Sequence, residues 1–283
     1  MTSAPTGRNP PRPARPHSEP DRTRHVLITG ANRGLGGATA ELLAAHGWFV
    51  LVGHRRPATA DSLVDSVVAH GGRAISVLLD VTDPAGMRAA AERIADCTGG
   101  TLDALINNAG VFLPDDAHLT SLTLETCHTT LLTNIGGPLM ATSALLPLLR
   151  AADGASVVNI SSAEARPERA NGQYTCYRAS KAALELATLN LSLALRPDRI
   201  VVNAVDPGWI PTDMGGPGAP DSIDIAARLV AWTASLAHVP EAPSGEVFSV
   251  HALPSVPMTP GALPHHRWGL ADHRHHPAED HPG

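Results

Sequence analysis

Short β-branched runs alternate with longer, mixed-polarity stretches through most of this chain. His25–Thr29, Trp48–Val52, Ala74–Leu79, Ala104–Asn107, Ser156–Ile160, Ile200–Ala204 and Glu246–Val250 read as strands, several of them apolar at nearly every position. Strands of that kind are buried on both faces, as in parallel sheets. Between them, Leu35–His46, Thr59–His70, Pro84–Thr98, Leu124–Leu149, Tyr174–Arg196 and Ile223–Ala237 read as helices. Such alternation requires right-handed crossovers and a sheet covered on both sides. The expectation is one doubly wound α/β domain over residues 25–252, with a seven-stranded parallel sheet between two helix layers. No internal repeat of useful strength is present.

The two ends break this pattern. Residues 1–24 hold six prolines and five arginines and no apolar stretch like a signal peptide. Residues 253–283 are rich in proline and histidine, including His265, His266, His273, His275, His276 and His281. Both read as flexible tails; the histidines lack the spaced, mixed ligands of a structural metal site, so no metal is expected. The net charge of −6 argues against phosphate-dominated nucleic-acid binding. No apolar run reaches the roughly 18 residues of a membrane span, so no membrane partner is expected. Cys97, Cys127 and Cys176 are odd in number and scattered, which points to a reduced, cytoplasmic chain. Cys176, beside Tyr177, is either a reactive thiol or a passive small side chain.

Candidate chemistry starts where the first strand runs into Thr29-Gly30-Ala31-Asn32-Arg33-Gly34-Leu35-Gly36 and then a helix. Glycines there allow a sharp turn and close approach to a pyrophosphate, which a helix amino terminus favours. That makes a Rossmann-type dinucleotide site the expectation. The second strand ends Val52-Gly53-His54-Arg55-Arg56, with no acidic side chain to bind a ribose 2′-hydroxyl. Arg33 and Arg55 suit a 2′-phosphate instead, so NADP(H) is preferred to NAD(H) unless these arginines are only solvated loop charges. Asp80 ends the third strand and Asn107-Asn108-Ala109-Gly110 the fourth, at the sheet edge where such folds place ligands. Asp80 either meets an adenine or caps the helix at Pro84, and the asparagines either serve the site or form a turn.

Tyr177 and Lys181 stand four residues apart, on one helix face. A phenol titrates near pH ~10, and a nearby ammonium favours the phenolate, so the pair reads as an acid/base whose tyrosine is pulled toward neutral pH.

Taken together, these motifs resemble the short-chain dehydrogenase/reductase family across 25–252, closest to its small NADP-dependent carbonyl-reductase branch. TGANRGLG at 29–36 is similar to the family's cofactor turn, NNAG at 107–110 to its sheet motif and YRASK at 177–181 to its catalytic YxxxK. Asn134, Ser162 and the segment Asp206–Met214 fall where the family keeps an active-site asparagine, a catalytic serine and the stretch closing over nicotinamide. The resemblance implies Asn134, Ser162, Tyr177 and Lys181 as catalytic residues, with Ser161 the lesser alternative to Ser162. Tyr177 would trade the proton, Lys181 would hold the nicotinamide ribose, Ser162 would bond the substrate oxygen and Asn134 would anchor a proton-relay water. It places the cofactor against Gly30, Asn32, Arg33, Gly34, Leu35, Gly36, Arg55, Asp80, Val81, Asn108, Ala109, Gly110, Tyr177, Lys181, Pro207, Gly208, Ile210 and Thr212.

The implied activity is hydride transfer between a nicotinamide and a small carbonyl or secondary alcohol, in a homodimer or homotetramer joined through 124–149 and 174–196. The rival reading is a catalytically inactive NADP(H)-binding sensor or scaffold. An epimerase or dehydratase is disfavoured because Pro211–Asp221 is too short to enclose a nucleotide sugar. Two departures stand out: Asp206 replaces the usual asparagine or histidine, and the loop Ala163–Cys176 is enlarged and charged. Glu164, Arg166, Glu168 and Arg169 there either face solvent or select a polar substrate.

Overall fold

The computed structural model describes residues 22–252. Seven strands, β1 (His25–Ile28), β2 (Phe49–His54), β3 (Arg73–Leu78), β4 (Ala104–Asn107), β5 (Ala155–Ile160), β6 (Ile200–Asp206) and β7 (Val247–Ser249), form one sheet in the order β3-β2-β1-β4-β5-β6-β7. All neighbours pair in parallel, with Leu27 opposite Leu51 on one side and Leu105 on the other. The order reverses between β1 and β4, and that switch point opens a crevice at the carboxyl ends of the strands.

Successive side chains of one strand serve opposite layers. Val26 and Ile28 join Leu43, Val67, Leu229 and Trp232 in one core, while Leu27 joins Met87, Ile94, Leu145 and Leu149 in the other. The first core seats α1 (Gly34–Ala45), α2 (Asp61–Ala69) and, late in the chain, Ile223–Ala234. The second seats α3 (Pro84–Thr98) and, further on, Gly137–Ala151. Local signals set the helix ends: Asp83 accepts from the Ala85 amide ahead of α3, Pro84 opens that helix, and left-handed Gly99 (φ 64°) closes it.

The expected helix Leu124–Leu149 is interrupted. It comprises α4 (Leu124–Leu131), a π-helical turn over Leu132–Gly136, and α5 (Gly137–Ala151). Asn134 sits inside that turn, and such turns gather at functional sites. The same stretch, Leu124–Ala151, is long and apolar enough to cross a membrane by length and composition, contrary to the expectation that no run reaches that measure. Its apolar content has a local use, since Ala141, Leu145 and Leu149 fill the core beneath α5. Two further helices, α6 (Thr175–Leu195) and α7 (Ile223–Ala234), complete the layers.

Residues 22–24, expected in the flexible amino-terminal tail, are fastened to the sheet. Arg22 pairs with buried Asp103, the Arg24 carbonyl accepts from the Phe49 amide at 2.8 Å, and its guanidinium lies over Trp48. The rest of the two expected tails, with the histidines of the second, lies outside the described residues.

Candidate active site

The glycine turn is shaped by its neighbour as much as by any ligand. Gly30 and Gly34 have φ of 63° and 57°, a region that side chains disfavour. A Cβ at Gly30 would lie 3.0 Å from the Ala109 backbone, and one at Gly36 would lie 2.5 Å from the Asn108 amide nitrogen. These glycines therefore admit the 107–110 segment. Asn108 Nδ2 donates to the carbonyls of Thr29 and Gly30, and Thr29 Oγ1 accepts from the amides of Asn108 and Ala109. Asn107 faces the other way, donating to Asn159, which in turn donates to Thr188 on α6. The tandem asparagines thus weld β1, β4, β5 and α6 together.

One cleft of about 1490 Å³ runs from this turn to the loops after β5 and β6. That exceeds the usual volume for one small ligand, ~300–1,000 Å³. Gly30, Asn32, Arg33, Gly34, Leu35, Arg55, Asp80, Val81, Asn108, Ala109, Gly110, Ser162, Tyr177, Lys181, Pro207, Gly208, Ile210 and Thr212 all line it. Two expected site residues do not: Gly36 packs against Asn108, and Asn134 lies behind the wall. Asp83, not Asp80, caps α3; Asp80 Oδ1 accepts from the amide and hydroxyl of Thr82. Arg33 forms an ion pair with Asp213 across the mouth, tying the turn to the segment after β6.

At the far end, Tyr177 and Lys181 emerge from the first turns of α6, both buried. Lys181 Nζ donates to the Ile160 carbonyl at 2.8 Å and lies 5.7 Å from the Tyr177 ring centre. Burial lowers the lysine to about 8, against a smaller raising effect from Glu185. Burial pushes the Tyr177 phenol up to about 12; its hydrogen bond with Ser162 lowers it, and the charges of Glu164 and Asp206 raise it. The expected pull toward neutral pH by the neighbouring ammonium is not among the effects felt by Tyr177; desolvation of the phenolate raises it instead. Asn134 spends its amide on the loop, exchanging hydrogen bonds with the Val111 backbone at 2.8 and 3.0 Å and donating to Ser180. Ser161 donates to Glu185 at 2.6 Å, which leaves Ser162 as the serine bonded to the tyrosine. Burial and the contact with Cys127 push the Cys176 thiol up to about 12, so it stays protonated at neutral pH.

The model of the short chain dehydrogenase family matches residues 24–222. The chain is 34% identical over 206 residues to the uncharacterized oxidoreductase YgfF of Escherichia coli, covering 70% of this chain and 82% of that one. The chain belongs to the short-chain dehydrogenases. Among solved structures, the NADPH-bound carbonyl reductase from chicken fatty liver superposes with a TM-score of 0.72 at 32% identity, covering 81% of this chain and 97% of that one. A short chain dehydrogenase from Burkholderia cenocepacia in complex with NADP gives 0.71 at 32% identity, covering 80% and 95%.

As a short-chain dehydrogenase, this chain handles its unusual charges internally. Arg166 Nη2 donates to Asp206 at 3.0 Å, and that buried carboxylate also accepts from the Ser249 hydroxyl and the Gly208 amide. Glu164 pairs with Arg178, which also donates to the carbonyls of Arg169 and Gln173. The loop charges expected either to face solvent or to select substrate are thus partly spent on the protein. The sequence assigns no individual role to Asp116, Glu185 or Phe112, although Val111–His118 is expected as a wall of the pocket. Glu185 lies one turn beyond Lys181, a spacing that marks contact on a helix. Asp116 gave no local sign.

Proposed function

We propose that this chain is an NADP(H)-dependent oxidoreductase that interconverts a small carbonyl compound and its secondary alcohol, with Tyr177 as acid/base. The observation that carries the reading is the meeting of Ser162, Tyr177 and Lys181 in the same cleft as the glycine turn. The cleft fits the dinucleotide in volume and chemistry: a left-handed glycine turn opens α1, and β2 runs out into His54 and Arg55 with no acidic side chain to repel a 2′-phosphate, beside Arg33, which is held by Asp213. The NADPH and NADP seen in the two solved relatives support the same choice. When bound, the dinucleotide donates or accepts the hydride.

The residues of the chain supply the rest. Protonated Tyr177 is poised to donate to a carbonyl oxygen as negative charge grows there, and Ser162 steadies both oxygens by hydrogen bonding. Lys181 Nζ sits close to Gly110, as does Asn134 Oδ1, so the two can serve one proton path toward Tyr177. Exposed Leu124, Leu131, Leu186 and Leu193 on α4 and α6 support the homo-oligomer expected through these helices. A cytoplasmic location belongs to the same reading.

The test is Tyr177→Phe, assayed by NADPH oxidation against ketones and aldehydes, with thermal shift recording NADP(H) and NAD(H) binding. The expected outcome is a loss of about 10²–10⁴-fold in turnover, with cofactor stabilisation kept and larger for NADP(H). Unchanged turnover would remove Tyr177 from the chemistry. Tight NADP(H) binding by a parent chain that reduces nothing in the panel would favour the sensor reading.

A further inference from the structure

The helix that carries Tyr177 begins without a cap of its own. Its first three residues are Thr175, Cys176 and Tyr177, and the position ahead of them is Tyr174. Serine, threonine, aspartate or asparagine normally stands there and accepts from the second or third amide of the helix. Tyr174 makes no such bond. It also sits at φ 54° and ψ 46°, a conformation that a bulky side chain adopts only when its surroundings impose it.

The missing acceptor comes from sixty residues upstream. Asp116 Oδ1 accepts from the Cys176 amide at 3.0 Å and Oδ2 from the Tyr177 amide at 2.7 Å. Its main-chain carbonyl accepts from the Tyr174 amide at 2.9 Å, which holds that residue in its strained turn. The Asp116 residue is 2% exposed. A carboxylate that deep is costly unless it is bonded, and here both oxygens meet the positive end of a 21-residue helix. Four residues earlier in the same loop, Phe112 packs on Tyr174 at 4.4 Å and edge-on against Tyr177 at 4.8 Å. The loop from Val111 to Asp116 therefore grips Tyr177 twice, by its amide and by its ring. Phe112 lines the cleft, so whatever seats there presses on the element that aims the phenol.

We infer that Asp116 is a positioning residue: a cap supplied from the cleft-wall loop, which aims the Tyr177 hydroxyl and links seating in the cleft to that aim. The inference rests on the reading of Tyr177 as the acid/base. A cap that only stabilised α6 would change the melting temperature and leave turnover of the folded protein alone. An aiming role acts on kcat, because misplacing a reacting group by about 1 Å costs on the order of 10²-fold.

The test uses the full chain with Asp116→Asn, which keeps one acceptor oxygen, and Asp116→Ala, which keeps none. Turnover is measured well below the melting temperature, with NADPH and the panel ketone that the parent reduces fastest; NADPH affinity is followed by nucleotide fluorescence. The expected result is graded: kcat falls about tenfold for Asn and about a hundredfold for Ala, while KM and NADPH affinity stay within about twofold. If Asp116→Ala does not fold, the kcat-against-KM split of Asp116→Asn decides alone. A lowered melting temperature with parental kcat overturns the inference, and so does an equal loss of kcat and NADPH affinity. Parental kcat in Asp116→Asn beside an inactive Tyr177→Phe sinks this inference alone; an active Tyr177→Phe sinks the reading beneath it.

Discussion

The two ends of the cleft are held together by opposite means. Around the glycine turn the packing is close: Gly30 lies against the Ala109 backbone and Gly36 against the Ala31 backbone and the Asn108 side chain, with room for nothing larger than hydrogen. Around Tyr177, charged side chains bind loops that share no sequence neighbourhood. Arg166 reaches Asp206, Glu164 reaches Arg178, and Asp116 reaches the first amides of α6. The first end is vulnerable to volume and the second to charge. Close packing tolerates no added atoms, whereas a buried charge tolerates no lost partner.

Gly36→Ala probes the first end and carries the largest expected effect among these substitutions. The new Cβ would meet the Ala31 backbone at 2.8 Å and the Asn108 amide at 2.5 Å. Overpacking of that kind should cost about 3 kcal/mol in urea unfolding. An unshifted midpoint would mean that the turn yields, and the contrast between the two ends would weaken. Arg166→Met probes the second end: Asp206, 1% exposed, keeps Ser249 and Gly208 but loses its guanidinium. The expected loss is about 2 kcal/mol. Adding Asp206→Asn should recover most of it, and a double-mutant cycle with no coupling would show the ion pair to be idle.

Lys181→Met should give the smallest effect, and its signature lies in pH. Burial lowers Lys181 to about 8 when folded, from the ordinary lysine value of 10.5. Between those values the unfolded chain binds more protons, so this group makes stability rise with pH across that window and leaves it flat below. The parent should therefore gain on the variant by about 1 kcal/mol between pH 8 and 9. Parallel stability curves would show that the ammonium is not desolvated.

The seven strands were legible because each is a compact apolar run, and their parallel order followed from the helices between them. The glycine turn was legible too, since a turn that needs glycine announces itself over eight residues, 29–36. The break at Leu132–Gly136 was not, because Leu-Leu-Thr-Asn-Ile satisfies a helical pattern and the hydrogen bonds of Asn134 run to Val111 and Ser180. Asp116 was invisible for a related reason: capping is sought one residue ahead of a helix, not sixty. The titration of Tyr177 was misjudged because spacing shows the lysine one turn away and says nothing about burial, which sends the phenol up to about 12.

Local pattern was enough for the types and order of the elements, the glycine turn and the Tyr-Lys spacing, since each depends on residues within a turn or two of one another. The charge states of Tyr177 and Lys181, the partners of the loop charges and the aim of α6 arose only on folding. Desolvation and ion pairing sum over groups such as Asp116, Arg166 and Asp206, which are remote along the chain and meet only once the sheet has brought its loops to one edge.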